Sequence, residues 1–190
     1  LTSEQEMIKR MISQFAEGVV APGAIERDRT KQFPVEIFKK LAEMGIMGLP
    51  FPEEYGGGGA DTVSFAIVTE ELSRACGSTG ITYSAHISLG GAPLYLFGTN
   101  EQKQKYLGPI CTGDSFGAFG LTEPNAGSDA GGTRTSALED NGDFLINGNK
   151  CFITNASFAN HLAITAVTGE IGEKKEISAI IVPTNAEGFT

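Results

Sequence analysis

The sequence predicts an α+β protein of two domains, with an all-α domain over residues 1–115 and an antiparallel β domain over residues 116–190. Apolar residues recur at helical spacing along the first 110 residues. After about Phe116 this periodicity disappears, and short β-rich runs alternate with turn dipeptides. Hydrophobic residues make up 41% of the 190 residues, which is typical of globular domains with a packed core.

Five helices are expected in the first domain, and capping signals mark several of their ends. Ser3 and Glu6 have the spacing of a capping box, and Asp61 is an N-cap candidate. Thr99 and Gln102 repeat the capping-box spacing. The expected helices cover residues 3–20, 34–45 and 61–75, an uncharged stretch after residue 79, and residues 99–107.

Two segments of the helical domain suggest functions that their local chemistry disfavours. The four glycines at 56–59 resemble a phosphate-binding loop, but no Lys-Ser/Thr pair follows them, so a structural turn is favoured. Residues 77–98 contain no charged side chain, which suggests a membrane span. Several glycines and a proline interrupt this run, so a buried core helix is favoured over a span of about 20 apolar residues.

Asn-Gly dipeptides mark the turns of the β domain. Asn141 and Gly142 separate two β-rich runs, which predicts a hairpin because both turn positions require positive φ. Asn147 and Gly148 repeat the signal before a further expected strand at 151–153. The other expected strands cover residues 162–167 and 177–182, on either side of a charged loop at 170–176. Because so few strands with open edges rarely stand alone, we expect the β domain to be incomplete.

Charge and composition exclude several classes of function. The formal net charge is -9 and the pI is about 4.7, which argues against nucleic acid as a partner because phosphate binding requires clustered Lys and Arg. The three cysteines lie far apart without metal-ligand spacing, and the chain has two histidines. We therefore expect no metal site and interpret the cysteines as reduced packing residues.

The segment at 119–129 is the most informative part of the chain. It carries Thr122, Asn125 and Ser128, with glycine and alanine among them. Hydroxyl and backbone N–H groups in such a loop can form a row of neutral hydrogen-bond donors, and small residues let a ligand approach the main chain. The alternative is a Gly-Ser-Asp turn that binds no ligand.

A second segment, at 147–156, combines an aromatic ring with a hydroxyl group. If residues 151–153 form a strand, period-two alternation places Phe152 and Thr154 on the same face. One flat ring and one hydroxyl group on that face would suit a planar ligand. The alternative is an ordinary aromatic-threonine pair in a sheet.

Both segments are similar to signatures of a known family. Residues 120–129, GLTEPNAGSD, resemble the signature of the acyl-CoA dehydrogenase family, and residues 147–155, NGNKCFITN, resemble its second flavin-contacting strand. The resemblance covers essentially the whole chain and includes FPEEYGG at 51–57, EELSR at 70–74 and GTNEQKQKYL at 98–107. It is strongest toward the bacterial short-chain, butyryl-type branch.

The resemblance implies an N-terminal helical domain, a β-barrel-like middle domain, and a C-terminal helical domain before which this chain is truncated. FAD would lie between the last two domains, with Thr122 at the pyrimidine edge of the flavin. Phe152, where many members have Trp, would pack against the isoalloxazine, and Thr154 would point towards N5. Ser128 would lie near the pyrophosphate and would also bind the acyl-CoA substrate. The implied cofactor-binding residues are Phe119, Gly120, Leu121, Thr122, Glu123, Gly127, Ser128, Phe152, Ile153 and Thr154.

The resemblance also implies a reaction, the α,β-dehydrogenation of an acyl-CoA thioester. A carboxylate base removes the α-proton while the β-hydrogen leaves as a hydride to the flavin. That base comes from the C-terminal domain, so no catalytic residue is expected in this chain. Electrons would pass to an electron-transfer flavoprotein. Full-length members are homotetramers, located in the bacterial cytoplasm or the mitochondrial matrix.

Four titratable residues are candidates for a catalytic role, and all four are interpreted as structural. Glu123 and Asp129 flank the signature loop and are expected to hold the turn through hydrogen bonds to the backbone. His86 and His161 are expected to be packed and hydrogen-bonded.

Two other functions are left open by the residues. The chain could be a non-catalytic module that binds a nucleotide or a partner. It could also belong to an acyl-CoA oxidase or a nitroalkane-oxidising relative, which would react with oxygen and release hydrogen peroxide.

Overall fold

The structure is a computed structural model that describes residues 1–172 and 174–190. It divides into two compact units, Leu1–Ser115 and Phe116–Thr190. The first unit is helical and the second contains a mixed β-sheet. The predicted fold class, helical followed by β, is confirmed.

The helical unit contains eight α-helices in its described residues, three of which continue as π-helical turns. The helices are α1 Ser3–Phe15, α2 Ala24–Thr30, α3 Val35–Glu43, α4 Thr62–Ala75, α5 Gly77–Ala85, α6 Ala92–Phe97, α7 Asn100–Gln102 and α8 Gly108–Thr112. The π-helical turns are Ala16–Val20 after α1, His86–Gly91 after α5 and Lys103–Leu107 after α7.

All five predicted helices are present, but the cap of the first lies one residue earlier than predicted. The Thr2 hydroxyl accepts from Gln5 N at 3.2 Å and the Gln5 side chain accepts from Thr2 N at 2.9 Å. Thr2 is therefore the N-cap, and the Ser3 and Glu6 assignment is wrong by one position. Asp61 caps α4 as predicted, through a 2.7 Å bond from Ser64 N.

Two short helices, α2 and α8, were not predicted from the sequence. No residue of α2 is buried, so its sequence carries no apolar periodicity. Its start is instead held by Gly23 at φ 80 and by the Arg27 guanidinium, which donates to the carbonyls of Val20 and Pro22.

The four-glycine segment of the helical unit is a structural turn, as expected. All four amides at 56–59 donate to carbonyl oxygens of the same unit, so none of them is available to a phosphate. A Cβ built on Gly57 would lie 2.1 Å from the Phe51 carbonyl oxygen, so the turn requires glycine there.

The uncharged run at 77–98 forms α5, the π-helical turn after it and α6, and one face of these helices is buried in the core, whereas Leu96 and Phe97 at the end of α6 are exposed. Tyr83 and His86 are fully buried and Leu94 is 3% exposed. Among the described residues, no helix is both long enough and apolar enough to cross a membrane.

The second unit is built around one long strand. Its strands are β1 Phe119–Gly120, β2 Ser136–Asp140, β3 Asp143–Asn147, β4 His161–Ile171 and β5 Lys174–Pro183. One edge of β4 pairs antiparallel with β5, and the other pairs in parallel with β1 and then β2. The sheet is therefore mixed, whereas the sequence analysis expected it to be antiparallel throughout.

One of the two Asn-Gly signals predicts its turn correctly. Asn141 at φ 53 and Gly142 at φ 90 close the hairpin of β2 and β3. The strand predicted at 151–153 is wrong, because Cys151 N–H donates to Thr122 O and Phe152 has a left-handed φ of 58. The loop predicted at 170–176 is shorter, since β4 reaches Ile171 and β5 starts at Lys174, while Glu173 lies outside the described residues.

Candidate functional site

The two segments singled out in the sequence are neighbours in the second unit. We call residues 119–129 loop A and residues 147–155 loop B. Cys151 N–H donates to Thr122 O at 2.9 Å, and the Lys150 ammonium donates to Leu121 O at 3.1 Å. The fold thus joins loop A to loop B directly, although about twenty residues separate them in the sequence.

A buried ion pair fastens the two loops together. Lys150 Nζ lies 2.7 Å from Glu123 Oε1, and the two side chains are 10% and 4% exposed. The ammonium also donates at 3.1 Å to the hydroxyls of Thr133 and Thr165. All the polar capacity of Lys150 is therefore used inside the unit, so the pair adds no net charge to the site.

The Glu123 carboxylate is surrounded by donors. It accepts from Arg134 N at 2.7 Å, from Thr135 N at 3.0 Å and from the Thr133 hydroxyl. Burial would raise the pKa of Glu123, but the bonds from Lys150, Thr133, Thr135 and the Arg134 backbone hold it well below its usual range. The carboxylate stays ionised at neutral pH and is not available as a catalytic base.

This arrangement supports the structural interpretation of Glu123 and refines its predicted place in the site. Ammonium, hydroxyl and amide donors from inside the unit bind both oxygens of the side chain, three of them at Oε1 and one at Oε2. Glu123 therefore supports loop A from behind. At Asp129 the backbone carbonyl accepts from Gly132 N at 3.0 Å, and the structural role predicted for its carboxylate stays a prediction.

Phe152 is displayed by loop B in an unusual way. Its side chain is 93% exposed and its φ is 58, a left-handed conformation that bulky residues seldom adopt. Cys151 fixes the chain on one side of it, and on the other the Asn155 side chain donates to Gly117 O at 3.1 Å. A strained backbone that holds an apolar ring in solvent indicates a binding function rather than a packing function.

Loop A supplies hydrogen-bond donors near this ring. Among the described residues, the Thr122 N–H has no hydrogen-bond partner, although the Thr122 carbonyl is anchored by Cys151. Gly127 and Ser128 are exposed. At Gly120 a Cβ would lie 2.9 Å from Ile164 Cγ2, so glycine allows β1 to pack closely there. Together the loops offer an aromatic face and neutral donors, which suits a planar heterocycle with polar edges.

The remaining predicted positions flank these groups. Phe119 lies on β1 and is half-buried, and Leu121 is 36% exposed. Ile153 packs against the core of the unit, while Thr154 is half-buried. Loops A and B thus contain every predicted cofactor-binding residue.

Both histidines are structural in the geometry observed. His86 Nε2 lies 3.1 Å from the carbonyl oxygens of Met47 and Ile110. Burial lowers the pKa of His86 to about 4, despite these bonds, so the ring is neutral. His161 is buried at the start of β4, and burial lowers its pKa as well. Within the described residues no group of three His, Cys, Asp or Glu side chains is placed to hold a metal ion.

The sequence analysis missed the residues that assemble the site. The Lys150 ammonium joins loop B to loop A and is held by the hydroxyls of Thr133 and Thr165. Asn155 bonds loop B to Gly117, and the sequence predicted no role for any of these four residues. One signal was present: an acidic residue inside a loop of small and apolar residues requires a cationic partner if it is buried. Which lysine or arginine supplies that partner depends on pairing across the sheet.

Two family models match the chain. One, described as acyl-CoA dehydrogenase, N-terminal domain, covers residues 2–114. The other, described as acyl-CoA dehydrogenase, middle domain, covers residues 118–190.

Curated relatives match the whole chain. "Probable acyl-CoA dehydrogenase YngJ" of Bacillus subtilis is 55% identical over 191 residues, which is 100% of this chain and 50% of the relative. The short-chain specific acyl-CoA dehydrogenase of Clostridium acetobutylicum is 47% identical, with the same coverage. Acryloyl-CoA reductase (NADH) of Anaerotignum propionicum is 43% identical over 100% of this chain and 48% of the relative. The chain thus spans about half the length of these relatives.

Solved structures share the fold. A structure described as the electron transferring flavoprotein of Acidaminococcus fermentans matches with a TM-score of 0.94 and 45% identity, over 99% of this chain and 50% of that one. Butyryl-CoA dehydrogenase from Megasphaera elsdenii gives 0.93 and 38%, with the same coverage. An acyl-CoA dehydrogenase complexed with FAD from Bacillus anthracis gives 0.87 and 38%, over 99% of this chain and 32% of that one.

Proposed function

Because this chain belongs to the acyl-CoA dehydrogenase family, we propose that it serves the FAD-dependent α,β-dehydrogenation of short- or branched-chain acyl-CoA thioesters. Acyl-CoA dehydrogenases are oxidoreductases that use FAD as cofactor. The observation that carries the proposal is the junction of loops A and B, where an exposed aromatic ring lies in the same unit as the Thr122 N–H, a neutral donor that has no partner among the described residues.

The residues of the junction fit a flavin. A flavin is planar, and Phe152 offers it an exposed ring face held by a strained backbone. Its pyrimidine edge carries hydrogen-bond acceptors, and the Thr122 N–H is a donor without a partner among the described residues. When bound, the flavin accepts the hydride that leaves the β-carbon of the substrate.

We assign the contact residues in two groups. Phe119, Gly120, Leu121, Thr122, Gly127 and Ser128 of loop A, with Phe152, Ile153 and Thr154 of loop B, would form one wall of the cofactor site. Glu123, with Lys150, would keep the two parts of that wall in register rather than touch the cofactor.

Ser128 is the residue of this chain that we assign to the substrate. It is exposed and follows Gly127, where a built Cβ would meet no atom within 4 Å, so loop A leaves room for a ligand there. The similarity to short-chain specific and butyryl-CoA enzymes supports a short acyl group.

The catalytic base would come from outside residues 1–190. Loop A contains two carboxylates, Glu123 and Asp129, and the ion pair and hydrogen bonds of Glu123 stabilise its ionised form and make it a weak proton acceptor. A base for an α-proton needs a carboxylate with a raised pKa, whereas the pKa of Glu123 is lowered.

An electron-transfer flavoprotein is the proposed electron acceptor. The match to the Acidaminococcus fermentans structure described by that name supports this partner. The proposed assembly is a homotetramer. The proposed location is the bacterial cytoplasm, or the mitochondrial matrix if the protein is eukaryotic, as for the mitochondrial short-chain relatives.

The full-length protein tests this function directly. We expect it to purify with FAD and its visible absorbance, and we expect butyryl-CoA to bleach that absorbance without oxygen. A colourless protein that does not bind added FAD would contradict the proposal. Rapid hydrogen peroxide formation with butyryl-CoA in air would identify an oxidase instead.

A second candidate is the opposite direction of the same chemistry, the reduction of an activated double bond. Two relatives named 3-(aryl)acrylate reductase and acryloyl-CoA reductase (NADH), at 44% and 43% identity, favour it. The two candidates are separated by measuring the oxidation of butyryl-CoA and the reduction of crotonyl-CoA. Each direction is measured with its own electron partner, because the net flux depends on the partner supplied.

A further inference from the structure

Cys76 of the helical unit lies in a position that favours a negative charge. It is the N-cap residue of α5, a helix of nine residues, and its side chain is partly exposed. The first N–H groups of a helix have no partner within the helix, and the helix dipole is positive at that end. The Cys76 sulfur also lies 3.5 Å from the Ser78 hydroxyl.

Two buried donors beside this sulfur have no other acceptor. Thr79 is 1% exposed, and neither its hydroxyl nor Arg27 Nε has an oxygen or nitrogen partner among the described residues. Thr79 lies in the first turn of the helix that Cys76 caps, and both groups favour the ionised form of the Cys76 thiol. A neutral thiol is a weak acceptor, so these two donors are satisfied well if the sulfur is a thiolate.

The charge near the sulfur has the sign that a thiolate requires. The guanidinium of Arg27, on α2, is the charged group among the described residues that bears on Cys76. Its other nitrogens donate to the carbonyls of Pro22 and Val20, which keeps the guanidinium in place. Burial would raise the pKa of the Cys76 thiol, but hydrogen bonding by Ser78, Thr79 and Arg27 lowers it to about 7.

The other two cysteines differ from Cys76. Cys111 is 2% exposed, and burial raises the pKa of its thiol to about 12. Cys151 is partly exposed in loop B, where its N–H anchors Thr122. No hydroxyl or guanidinium donor to its sulfur is seen in the described residues. The three thiols therefore provide a reactive site and two internal controls.

We propose that Cys76 is a modification site whose thiolate takes low-molecular-weight disulfides to form a mixed disulfide. The thiolate attacks one sulfur of the disulfide, a new S–S bond forms, and the original S–S bond breaks. The released half leaves as a thiolate that takes a proton from water. Cys76 is oxidised and the released half is reduced, so no further reactant is needed. The proposal does not depend on the proposed function.

The site is tested with oxidised glutathione on the full-length reduced protein under native conditions. Peptide mass mapping is expected to find glutathione on Cys76, removable by dithiothreitol, before it appears on Cys151 and without appearing on Cys111. Equal or faster modification of Cys151, or modification of Cys76 after unfolding alone, would overturn the proposal.

The role of the orphan hydroxyl is tested with Thr79→Val, which keeps the side-chain shape. We measure the alkylation rate of Cys76 by iodoacetamide against pH, with peptide resolution. The midpoint is expected near pH 7 in the wild type and about one unit higher in Thr79→Val, with the two rates converging at high pH. Thr69→Val is the matched control, because that hydroxyl bonds to Phe65 O within α4 and should leave the midpoint unchanged. An unchanged midpoint in Thr79→Val would contradict the role of this hydroxyl.

Discussion

The helical unit and the β unit treat their small-residue loops in opposite ways. In the helical unit, the amides at 56–59 all donate to carbonyl oxygens. In the β unit, the Thr122 N–H of loop A has no partner within the part of the chain that the structure describes, and the neighbouring loop B holds Phe152 in solvent at positive φ. Glycine content is therefore a poor indicator of a ligand site, and unsatisfied donors beside a displayed ring are a better one.

Ion pairs show the same contrast. Lys150 and Glu123 are 10% and 4% exposed and join two loops, whereas Lys39 and Glu36 on α3 are 63% and 79% exposed. Buried pairs are costly to break because the remaining charge has no partner, while exposed pairs contribute little. Substitutions in each unit test this difference.

Lys150→Met is expected to have the largest effect. It leaves Glu123 buried beside a methyl group, which should cost about 3–5 kcal/mol of unfolding free energy and separate the two loops. Urea denaturation and FAD content of the full-length protein measure both losses. The control is Lys39→Met, which should change stability by less than about 1 kcal/mol and leave FAD content intact. Equal effects of the two substitutions would refute the contrast.

Acid should destabilise the helical unit through His86. Its folded pKa of about 4 lies below the unfolded value, so the unfolded state binds the proton first as pH falls. The contribution is complete above about pH 6.5 and is lost between there and pH 4, by up to about 3 kcal/mol. Urea denaturation at several pH values checks it. In His86→Gln this part of the pH dependence should disappear, and its persistence would assign the effect to other groups.

Two glycine substitutions compare the loops directly. Gly57→Ala places a Cβ 2.1 Å from Phe51 O and should destabilise the protein by about 1–3 kcal/mol. Gly127→Ala meets no atom within 4 Å, so its unfolding free energy should be nearly unchanged while FAD affinity falls. Thermal unfolding and FAD titration distinguish the two. If Gly127→Ala lost stability and kept its FAD affinity, Gly127 would be a structural residue and would not belong to the cofactor site.

Substitutions of Phe152 should have a small effect on stability and a clear effect on binding. Phe152→Gly should be about 1 kcal/mol more stable than Phe152→Ala, because glycine adopts positive φ without strain. Both should weaken FAD binding and alter the flavin spectrum, since both remove the exposed ring. Denaturation curves and FAD titration measure these changes. FAD binding as tight as in the wild type would remove Phe152 from the site.

Local signals predicted the elements that depend on local chemistry. Asp61 caps α4, and Asn141 with Gly142 closes the β2–β3 hairpin, because side chain and backbone act within a few residues. The prediction of a strand at 151–153 is wrong because a backbone hydrogen bond from Cys151 N–H to Thr122 O decides the conformation of this segment. The two residues are about thirty positions apart in the sequence. The role of Lys150 was missed for the same reason.

The positions assigned to the cofactor came from the family resemblance. From the residues alone, loop A could equally be a turn that binds no ligand, and Phe152 with Thr154 could be an ordinary pair in a sheet. The structure adds what the sequence could not show, namely that the two loops are bonded to each other. It also changes the part played by Glu123, whose carboxylate faces Lys150 and backbone amides inside the unit.

Hydrogen exchange on the full-length protein, with and without FAD, tests the central claim most directly. Without FAD, amides of loop A such as Thr122 should exchange rapidly, and FAD should protect amides in both loops. Amides at 56–59 should exchange at the same rate in both states, because their carbonyl partners do not change. Protection by FAD elsewhere, with loops A and B unaffected, would contradict the claim that these loops form the flavin site.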